Sequence, residues 1–314
     1  MRLVFLGTPG FAVPILEACV QAGHEVAAVL TPPDRPRGRG QNAVAASPVK
    51  EAAAQLGLPV YQPERVRRPE AVEYLRGIPS DAMVVVGYGQ IIPQAVIDLA
   101  PLGIINVHAS LLPKYRGAAP IKWAIVRGET RTGVTTMRIN AGLDTGDMLR
   151  KAETEIGPDE NAIELGQRLS VMGAVLLVET LAGLEAGSIV PEKQDDAQAT
   201  VAPLLKKEDG EIDWTGPALA IHNQVRGLQP WPGAQTRFRG ASLHVWKTKV
   251  SRSVGEGVRP PGRFVSLKPL VVACGEGELE LLEVQLEGRK RINAADFANG
   301  QRLTENDRLG EGFD

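Results

Sequence analysis

Residues 3–30 read LVFLGTPGFAVPILEACVQAGHEVAAVL, which is an apolar strand, a turn, a helix and a second apolar strand. The run LVFLG predicts a strand buried on both faces, because parallel strands covered by helices lack polar alternation. VPILEACVQAG predicts a helix that ends at Gly23, and EVAAVL predicts the next strand. This order is a βαβ unit, the building block of a doubly wound parallel sheet.

The alternation of strand and helix signals continues along the chain. Helices are predicted at SPVKEAAAQLG, PEAVEYLRGI and NAIELGQRLSVMGAVLLVETLAGLEAG, and strands at LPVYQP, DAMVVVGYG and GII. Ser47 stands at the typical capping position of the first of these helices. The first part of the chain therefore indicates an α/β fold with a Rossmann-like doubly wound parallel sheet.

A second domain is expected, because 314 residues exceed the usual size of one hydrophobic core. Near residue 200 the pattern changes to short apolar runs separated by turn residues, such as ASLHVWKTKV, GRFVSLKPLVVAC and ELELLEVQL. These runs predict a small all-β domain, an OB-like barrel. We place the first domain at residues 1–203 and the second at 204–314, with a linker at its start.

Composition narrows the class of protein. The chain has 43% hydrophobic residues, a net charge of -2 and two cysteines. Cys19 and Cys274 are expected to lie in different domains, so neither a disulfide framework nor a thiolate metal site is predicted, and a reducing compartment fits. The apolar run LVFL is too short for a signal peptide or a membrane span, so we expect a cytoplasmic protein.

Two common nucleotide-binding motifs are not matched. The turn after the first strand, GTPGFA, lacks the G-x-G-x-x-G spacing and contains a proline, which argues against a nicotinamide cofactor. The chain also lacks G-x-x-x-x-G-K-[ST], the signature of a P-loop.

The stretch INVHASLLPKYRG at residues 105–117 places three polar side chains two residues apart. The period of 2 in a strand puts Asn106, His108 and Ser110 on one face. A lone buried histidine is usually a satisfied core residue. Here, however, the polar residues lead into a Pro/Gly loop, and ligands in open α/β sheets bind outside the carboxyl ends of strands. The position favours a functional site.

Two segments are rich in positive charge. Residues 31–50 form a long connection carrying Arg35, Arg37, Arg39 and Lys50 against Asp34, which indicates either a solvated loop or an arm that closes on an anionic partner. Residues 214–275 contain nine basic residues and one acidic residue, a local charge of +8. This excess is typical of a polyanion-binding domain. Trp231, Phe238 and Trp246 could stack on bases, or they could belong to the core.

With HASLLPKYRG and GLDTGDML in view, the chain resembles the folate-dependent formyltransferases. Further stretches resemble the branch of that family that acts on initiator methionyl-tRNA; they are FLGTPGFA, TPPDRPRGRG, SPVK, VGYGQIIP, GAAPIKWAI, TGVTTM, KKEDGEIDW and VRGLQPWPGA. The resemblance covers nearly the whole chain. It implies transfer of a formyl group from 10-formyltetrahydrofolate to the α-amino group of methionine on initiator tRNA, without a metal and in a monomeric protein.

The same resemblance implies roles for individual residues. The catalytic set would be Asn106, His108 and Asp144, although Asp144 alone could simply cap a Gly-rich turn. The folate would lie against Ser110, Leu111, Leu112 and Pro113 and against Gly87, Tyr88 and Gly89. The tRNA would be held by Arg35, Arg37, Arg39, Lys206 and Lys207, and in the family the loop at 31–50 reads an unpaired end of the initiator stem.

Three other functions remain open at this point. A formyltransferase acting on a sugar nucleotide or on a small purine-pathway amine could use the same catalytic stretch, but neither substrate explains the +8 segment. A non-catalytic RNA-binding protein is opposed by the intact Asn106, His108 and Asp144. A hydrolase that releases formate from the folate would need water in place of the amine.

Overall fold

The computed structural model describes residues 1–37, 43–251, 259–304 and 306–310. The predicted tRNA contact Arg39 lies outside these residues, and so do the side chains of Arg35 and Arg37. The chain divides into two compact units. The first contains residues 1–120, 132–154 and 166–203, and the second contains 121–131, 155–165 and 204–314. The sequence prediction had placed 121–131 and 155–165 with the first domain.

Most strands and helices up to residue 203 belong to one α/β domain, in which helices pack on a central sheet. The strands are β1 Arg2–Gly7, β2 Glu25–Leu30, β3 Arg35–Arg37, β4 Ala43–Ala45, β5 Val60–Tyr61, β6 Ala82–Val86, β7 Ile104–His108, β8 Arg116–Gly117, β9 Arg131–Arg138, β10 Met148–Glu155 and β11 Val201–Ala202. The helices are α1 Val13–Gln21, α2 Pro48–Gln55, α3 Pro69–Arg76, α4 Gln94–Ile97, α5 Pro120–Val126 and α6 Ala162–Glu185.

Seven strands form the main sheet in the order β10-β9-β7-β6-β1-β2-β5. Pairing is parallel from β7 to β5, and β9 runs antiparallel to β7. After β1, the chain adds β2 and β5 on one side of that strand and then adds β6 and β7 on the other side. The strand order therefore reverses between β1 and β6, which makes this position the topological switch point of the sheet. Ligands bind at such a switch, outside the carboxyl ends of the strands. The predicted parallel sheet is confirmed; the antiparallel β9 was not predicted.

The register brings three strand ends to the same edge. Gly7 of β1 lies beside Val86 of β6, and Val85 lies beside Asn106 of β7. The loops that follow these strands, including Gly87 and the residues after His108, therefore start at the same edge of the sheet.

Helix α6 packs closely on the strand that carries the predicted catalytic residues. A Cβ added to Gly173 would lie 3.0 Å from Val107 Cγ1, so the absence of a side chain there allows the close approach. Thr136 Oγ1 and Thr180 Oγ1 share a buried hydrogen bond of 2.8 Å between β9 and α6. By length and composition the helix could cross a membrane, and 50% of its most apolar window is buried inside the protein.

The 31–50 connection contains regular structure that the sequence did not predict. Strands β3 and β4 pair antiparallel, with Arg35 opposite Ala45. At the base of this hairpin Lys50 Nζ lies 2.5 Å from Asp34 Oδ2. Because Lys50 already has this partner, it is not a free positive charge of the loop.

The second unit is built on an antiparallel sheet with helices. Besides α5, which falls almost entirely in this unit, its elements are α7 Ala218–Gly227, β12 Ala234–Phe238, β13 Ala241–Val250, β14 Phe264–Leu267, β15 Leu270–Ala273, β16 Glu278–Leu286, β17 Ile292–Asn293 and α8 Ala294–Gln301. The strand order is β12-β13-β16-β15-β14, with β17 paired to β16. The predicted small β domain is confirmed, and its sheet is antiparallel. The short helices α7 and α8 were not predicted.

Polar side chains of α7 explain why residues 155–165 belong to the second unit. Buried Arg226 donates hydrogen bonds to Gly157 O at 3.1 Å and to Glu160 O at 2.8 Å. His222 Nε2 donates to Pro158 O at 3.2 Å, and its Nδ1 accepts from Thr248 Oγ1 at 3.0 Å. These bonds tie the backbone of residues 157–160 to α7.

Candidate active site

The carboxyl end of β7 presents a polar face. Asn106 is 8% exposed, His108 6% and Ser110 0%, so all three are buried polar groups. The intervening Val107 faces α6, because successive side chains of a strand point to opposite faces. Buried polar groups need partners, and those partners reveal what the site does.

Asp144 reaches this face from the loop between β9 and β10. Its carboxylate lies 3.4 Å from Asn106 Nδ2 through Oδ1 and 3.7 Å from His108 Nδ1 through Oδ2. Oδ2 also accepts a hydrogen bond of 2.9 Å from the Gly117 N–H. The structure thus brings together the three residues predicted as catalytic, from segments that are distant in the sequence.

The second ring nitrogen of His108 is fixed by the backbone. Nε2 lies 2.9 Å from the carbonyl oxygen of Tyr115 in a buried contact. A carbonyl oxygen can only accept, so Nε2 carries a hydrogen and the neutral ring has its lone pair on Nδ1. Nδ1, the nitrogen beside Asp144, is therefore the one that can take or release a proton.

The loop after β7 is held by two threonines that the sequence analysis missed. Thr135 Oγ1 donates to Ser110 O at 2.7 Å and accepts from Leu112 N at 3.1 Å. Thr200 Oγ1 accepts from Tyr115 N at 2.8 Å. Tyr115 has φ 62, which is rare for a bulky residue and needs support from its surroundings. The carbonyl that orients His108 thus belongs to a strained, tethered residue.

The four residues of the SLLP stretch, Ser110–Pro113, were predicted to bind folate, and they differ in solvent accessibility. The Ser110 hydroxyl donates to Lys114 O at 2.6 Å, and Leu112 packs in a small cluster with Met137 and Met148. Leu111 and Pro113 are partly exposed. A ligand at this loop would therefore meet Leu111, Pro113 and backbone groups rather than the Ser110 hydroxyl.

The turn Gly87–Gly89 follows β6 with both glycines exposed and at positive φ, 57 and 75. Tyr88 between them is 2% exposed and packs in an apolar cluster under the sheet. Its Oη has no hydrogen-bond partner among the described residues, and burial raises the pKa of Tyr88 to about 12. The phenol of Tyr88 therefore does not line the site; what this turn can offer a ligand is its backbone.

Two large apolar side chains stand in solvent beside predicted site residues. Ile91, two residues after Gly89, is 86% exposed, and Leu143, next to Asp144, is 66% exposed. Exposed apolar side chains such as these can line a ligand-binding surface.

A cleft of about 370 Å³ lies elsewhere in the first unit, between β10, α6 and residues 190–192. It is lined by Met148, Leu149, Arg150, Lys151, Leu176, Glu179, Val190 and Glu192. None of the predicted site residues is in this set. Across the part of the chain that the structure describes, no group of three or more His, Cys, Asp or Glu side chains is arranged to hold a metal ion.

Several arginines of the basic segment 214–275 are bonded inside the second unit. Arg226 is buried, Arg239 pairs with Asp307 at 2.8 Å, and Arg259 Nη1 donates to Phe264 O at 2.8 Å. The local charge of +8 therefore overstates the positive charge that this segment offers to a partner.

The lysines of the second unit are more accessible. Lys206, Lys207 and Lys268 are exposed; Lys247 and Lys249 are also exposed but stand opposite Glu283 and Glu280 in the sheet.

The three aromatic residues considered for stacking fall into different environments. Phe238 is a core residue at 1% exposure, Trp246 is half-buried, and Trp231 is 53% exposed. Trp231 is therefore the most accessible of the three.

The chain is similar to known proteins over most of its length. Residues 1–181 match the family described as formyl transferase, and residues 204–302 match the formyl transferase C-terminal domain. The methionyl-tRNA formyltransferase of Solibacter usitatus is 77% identical over 312 residues, and that of Koribacter versatilis is 55% identical over 312 residues. Each alignment covers 99% of this chain and 99% of the relative.

Solved structures share the fold at low sequence identity. An N-formyltransferase from Helicobacter canadensis, in complex with folinic acid and dTDP-3-aminofucose, has a TM-score of 0.68 at 18% identity and covers 90% of this chain and 98% of its own. HypX from Aquifex aeolicus, in complex with tetrahydrofolic acid, has a TM-score of 0.65 at 16% identity and covers 95% of this chain and 47% of its own.

Proposed function

This chain belongs to the formyl transferase family, and we propose that it transfers the formyl group of 10-formyltetrahydrofolate to the α-amino group of methionine esterified to initiator tRNA. Two relatives that match it over the full length, at 77% and 55% identity, are named methionyl-tRNA formyltransferase. The observation that carries the chemistry is the convergence of Asn106, His108 and Asp144 at the end of β7.

The reaction is acyl transfer to an amine. The amine nitrogen attacks the formyl carbon, an oxyanion forms, and the bond to the folate nitrogen breaks. A free α-amino group has a pKa of roughly 7.7 to 8, so a useful fraction is already neutral near pH 7. The protein must therefore stabilise the oxyanion and move one proton from the attacking nitrogen to the leaving nitrogen.

His108 is suited to carry that proton. Its Nε2–H is held by the Tyr115 carbonyl, so the proton lost by the amine is received at Nδ1. The Asp144 carboxylate, 3.7 Å from Nδ1, stabilises the imidazolium that results. The imidazolium then returns the proton to the leaving nitrogen, and no net proton is consumed by the protein.

Asn106 is suited to bind the oxyanion. One N–H of its amide points toward Asp144 Oδ1 at the long distance of 3.4 Å, and a primary amide has a second N–H to offer. A neutral donor can stabilise a developing negative charge without competing for the transferred proton. Asn106 is also 8% exposed, which keeps water from weakening this interaction.

For the folate, we propose contacts with Leu111, Pro113 and the backbone of Gly87 and Gly89. The positive φ of both glycines allows a flat ring to approach the backbone closely. The exposed Ile91 and Leu143 would be covered by the same ligand. The buried Ser110, Leu112 and Tyr88 would support this surface from beneath.

For the tRNA, we propose that exposed lysines of residues 204–314 bind phosphates and that the arginine-rich loop, Arg35, Arg37 and Arg39, approaches the acceptor end. Lys206→Gln with Lys207→Gln should raise KM for charged tRNA, leave kcat unchanged and lower the salt slope of binding by roughly 1 for each lost phosphate contact. Lys193→Gln, an exposed lysine of the first unit, is the matched control. An unchanged KM and salt slope in the double variant would remove these lysines from the interface.

We propose that residues 1–203 carry catalysis and that residues 204–314 contribute RNA binding, with no metal required. One chain holds all three catalytic side chains, so a monomer is sufficient. We expect the protein to act in the cytoplasm.

The decisive test of the chemistry is product analysis with formyl-labelled 10-formyltetrahydrofolate, with and without methionyl-tRNA. The proposal predicts label in N-formylmethionine after the ester is hydrolysed, with little free formate. Rapid release of labelled formate in the absence of tRNA would instead identify a hydrolase.

A further inference from the structure

The loop that carries Asp144 is tied down by a residue that the mechanism above does not use. Gln194 lies between α6 and β11, and its Nε2 donates to Asp144 O and to Gly146 O, both at 2.8 Å. Its Oε1 accepts from Arg116 Nε at 2.9 Å. The two hydrogens and the oxygen of one side-chain amide thus bind two loops at once.

The orientation of this amide is fixed by its partners. Two of them are carbonyl oxygens, which can only accept, and the third is a guanidinium N–H, which can only donate. A glutamine satisfies all three, whereas a glutamate of the same size would place oxygen against two carbonyl oxygens. The site therefore requires an amide and discriminates against its carboxylate isostere.

The loop needs this tether because of its backbone. Asp144 has φ 51, a left-handed conformation that is uncommon for residues other than glycine, although aspartate adopts it more readily than most. From this conformation its carboxylate meets Gly117 N at 2.9 Å and His108 Nδ1 at 3.7 Å. Hydrogen bonds to the carbonyls of Asp144 and Gly146 hold the peptide plane that directly follows Asp144 and the plane two residues further on, so the backbone after Asp144 cannot rotate freely.

A second contact joins the same segment to the loop after β7. Arg116, which binds Gln194 Oε1, also forms an ion pair of 2.7 Å with Asp196, and its side chain is 11% exposed. Arg116 precedes Gly117, whose N–H binds the Asp144 carboxylate. Gln194 therefore contacts both the loop that carries the Asp144 carboxylate and the segment around Arg116 and Gly117, whose backbone N–H binds that carboxylate.

From this arrangement we propose that Gln194 is a positioning residue for formyl transfer: its amide holds the Asp144 loop so that the carboxylate stays in place against His108. The inference rests on the proposed function. Gln194 acts through Asp144 and not on the reacting atoms, because its polar atoms bind backbone carbonyls and Arg116.

The test compares Gln194→Glu and Gln194→Met with Gln198→Glu. Gln198 is exposed in the same segment and bonds to Asp195 at 2.9 Å, so it controls for an added negative charge. Both Gln194 variants should lower kcat on the order of 100-fold, the cost of misplacing a catalytic group by about 1 Å, while KM for charged tRNA is unchanged. Gln194→Glu should be impaired as strongly as Gln194→Met although it retains the acceptor for Arg116.

A double-mutant cycle with Asp144→Asn separates positioning from general stability. If Gln194 acts through the Asp144 carboxylate, Gln194→Met should change kcat by less than about threefold in the Asp144→Asn background. The inference is overturned if the Gln194 variants keep the wild-type kcat, or if Gln194→Met lowers kcat by the same factor in both backgrounds. Absence of formylation by the wild-type protein would refute the proposed function, which is a different result.

Discussion

Replacing Asp144 with asparagine tests the electrostatic core of the mechanism. Asparagine has the size of aspartate and its oxygen can still accept from Gly117 N, so the change removes the charge and, at the other position, the 3.4 Å contact with Asn106 Nδ2. At the 3.7 Å that separates Asp144 Oδ2 from His108 Nδ1, two unit charges attract by about 4.5 kcal/mol at an effective dielectric constant of roughly 20. The site is partly shielded, with Asp144 17% exposed, which makes that dielectric constant appropriate.

An energy of about 4.5 kcal/mol corresponds to roughly 2,000-fold in rate, at 1.36 kcal/mol per factor of ten. This is an upper value, because the asparagine dipole still interacts with the imidazolium. We therefore expect kcat to fall by roughly 1,000-fold, with KM for charged tRNA unchanged and the unfolding temperature close to wild type.

The assay is single-turnover formylation of methionyl-tRNA with enzyme in excess, so that product release does not mask the chemical step. Asp98→Asn is the matched control, since Asp98 is an exposed carboxylate of the same unit that accepts a hydrogen bond from Gln94 at 2.7 Å. A rate within threefold of wild type for Asp144→Asn, in a folded protein, would refute the stabilisation of the imidazolium by Asp144.

Three further changes test other parts of the account. Asn106→Ala should lower kcat by roughly 100- to 1,000-fold in the same assay, the usual cost of one oxyanion donor, and near-normal turnover would contradict that role. Thr200→Val leaves the Tyr115 N–H without its acceptor, which should cost about 1 to 3 kcal/mol in urea unfolding and also slow turnover; unchanged values of both would disprove the tether. Burial lowers the pKa of His222, so the folded state binds fewer protons than the unfolded state, and stability should fall as pH drops below the unfolded pKa of about 6.5. His222→Gln should flatten the pH dependence of the urea midpoint, and an unchanged slope between pH 5 and 7.5 would show that His222 contributes nothing.

The parallel sheet could be predicted from the sequence because its strands are buried on both faces and appear as unbroken apolar runs. The polar face of β7 could also be predicted, since the period of 2 aligns Asn106, His108 and Ser110 whatever the strand packs against. The proximity of Asp144 to these residues was inferred from a family resemblance, because no local pattern in GLDTGD indicates it.

Other features of the site could not be predicted because they depend on distant backbone groups. Thr200 and Tyr115 are 85 residues apart, and Gln194 binds carbonyls 50 and 48 residues away. Tyr88 was expected in the site, but the turn made by Gly87 and Gly89 directs its side chain into the core. The charge of +8 was counted along the chain, whereas its effect depends on which arginines are already bonded, and that is a property of the folded domain.

The most direct test of the central claim is the choice of acceptor. Transfer of a labelled formyl group from 10-formyltetrahydrofolate should be measured to initiator methionyl-tRNA, elongator methionyl-tRNA and free methionine, as kcat/KM for each. The proposed function predicts efficient labelling of initiator methionyl-tRNA, weaker labelling of the elongator and none of free methionine. Equal labelling of free methionine, or transfer to a sugar-nucleotide amine in preference to the charged tRNA, would contradict it.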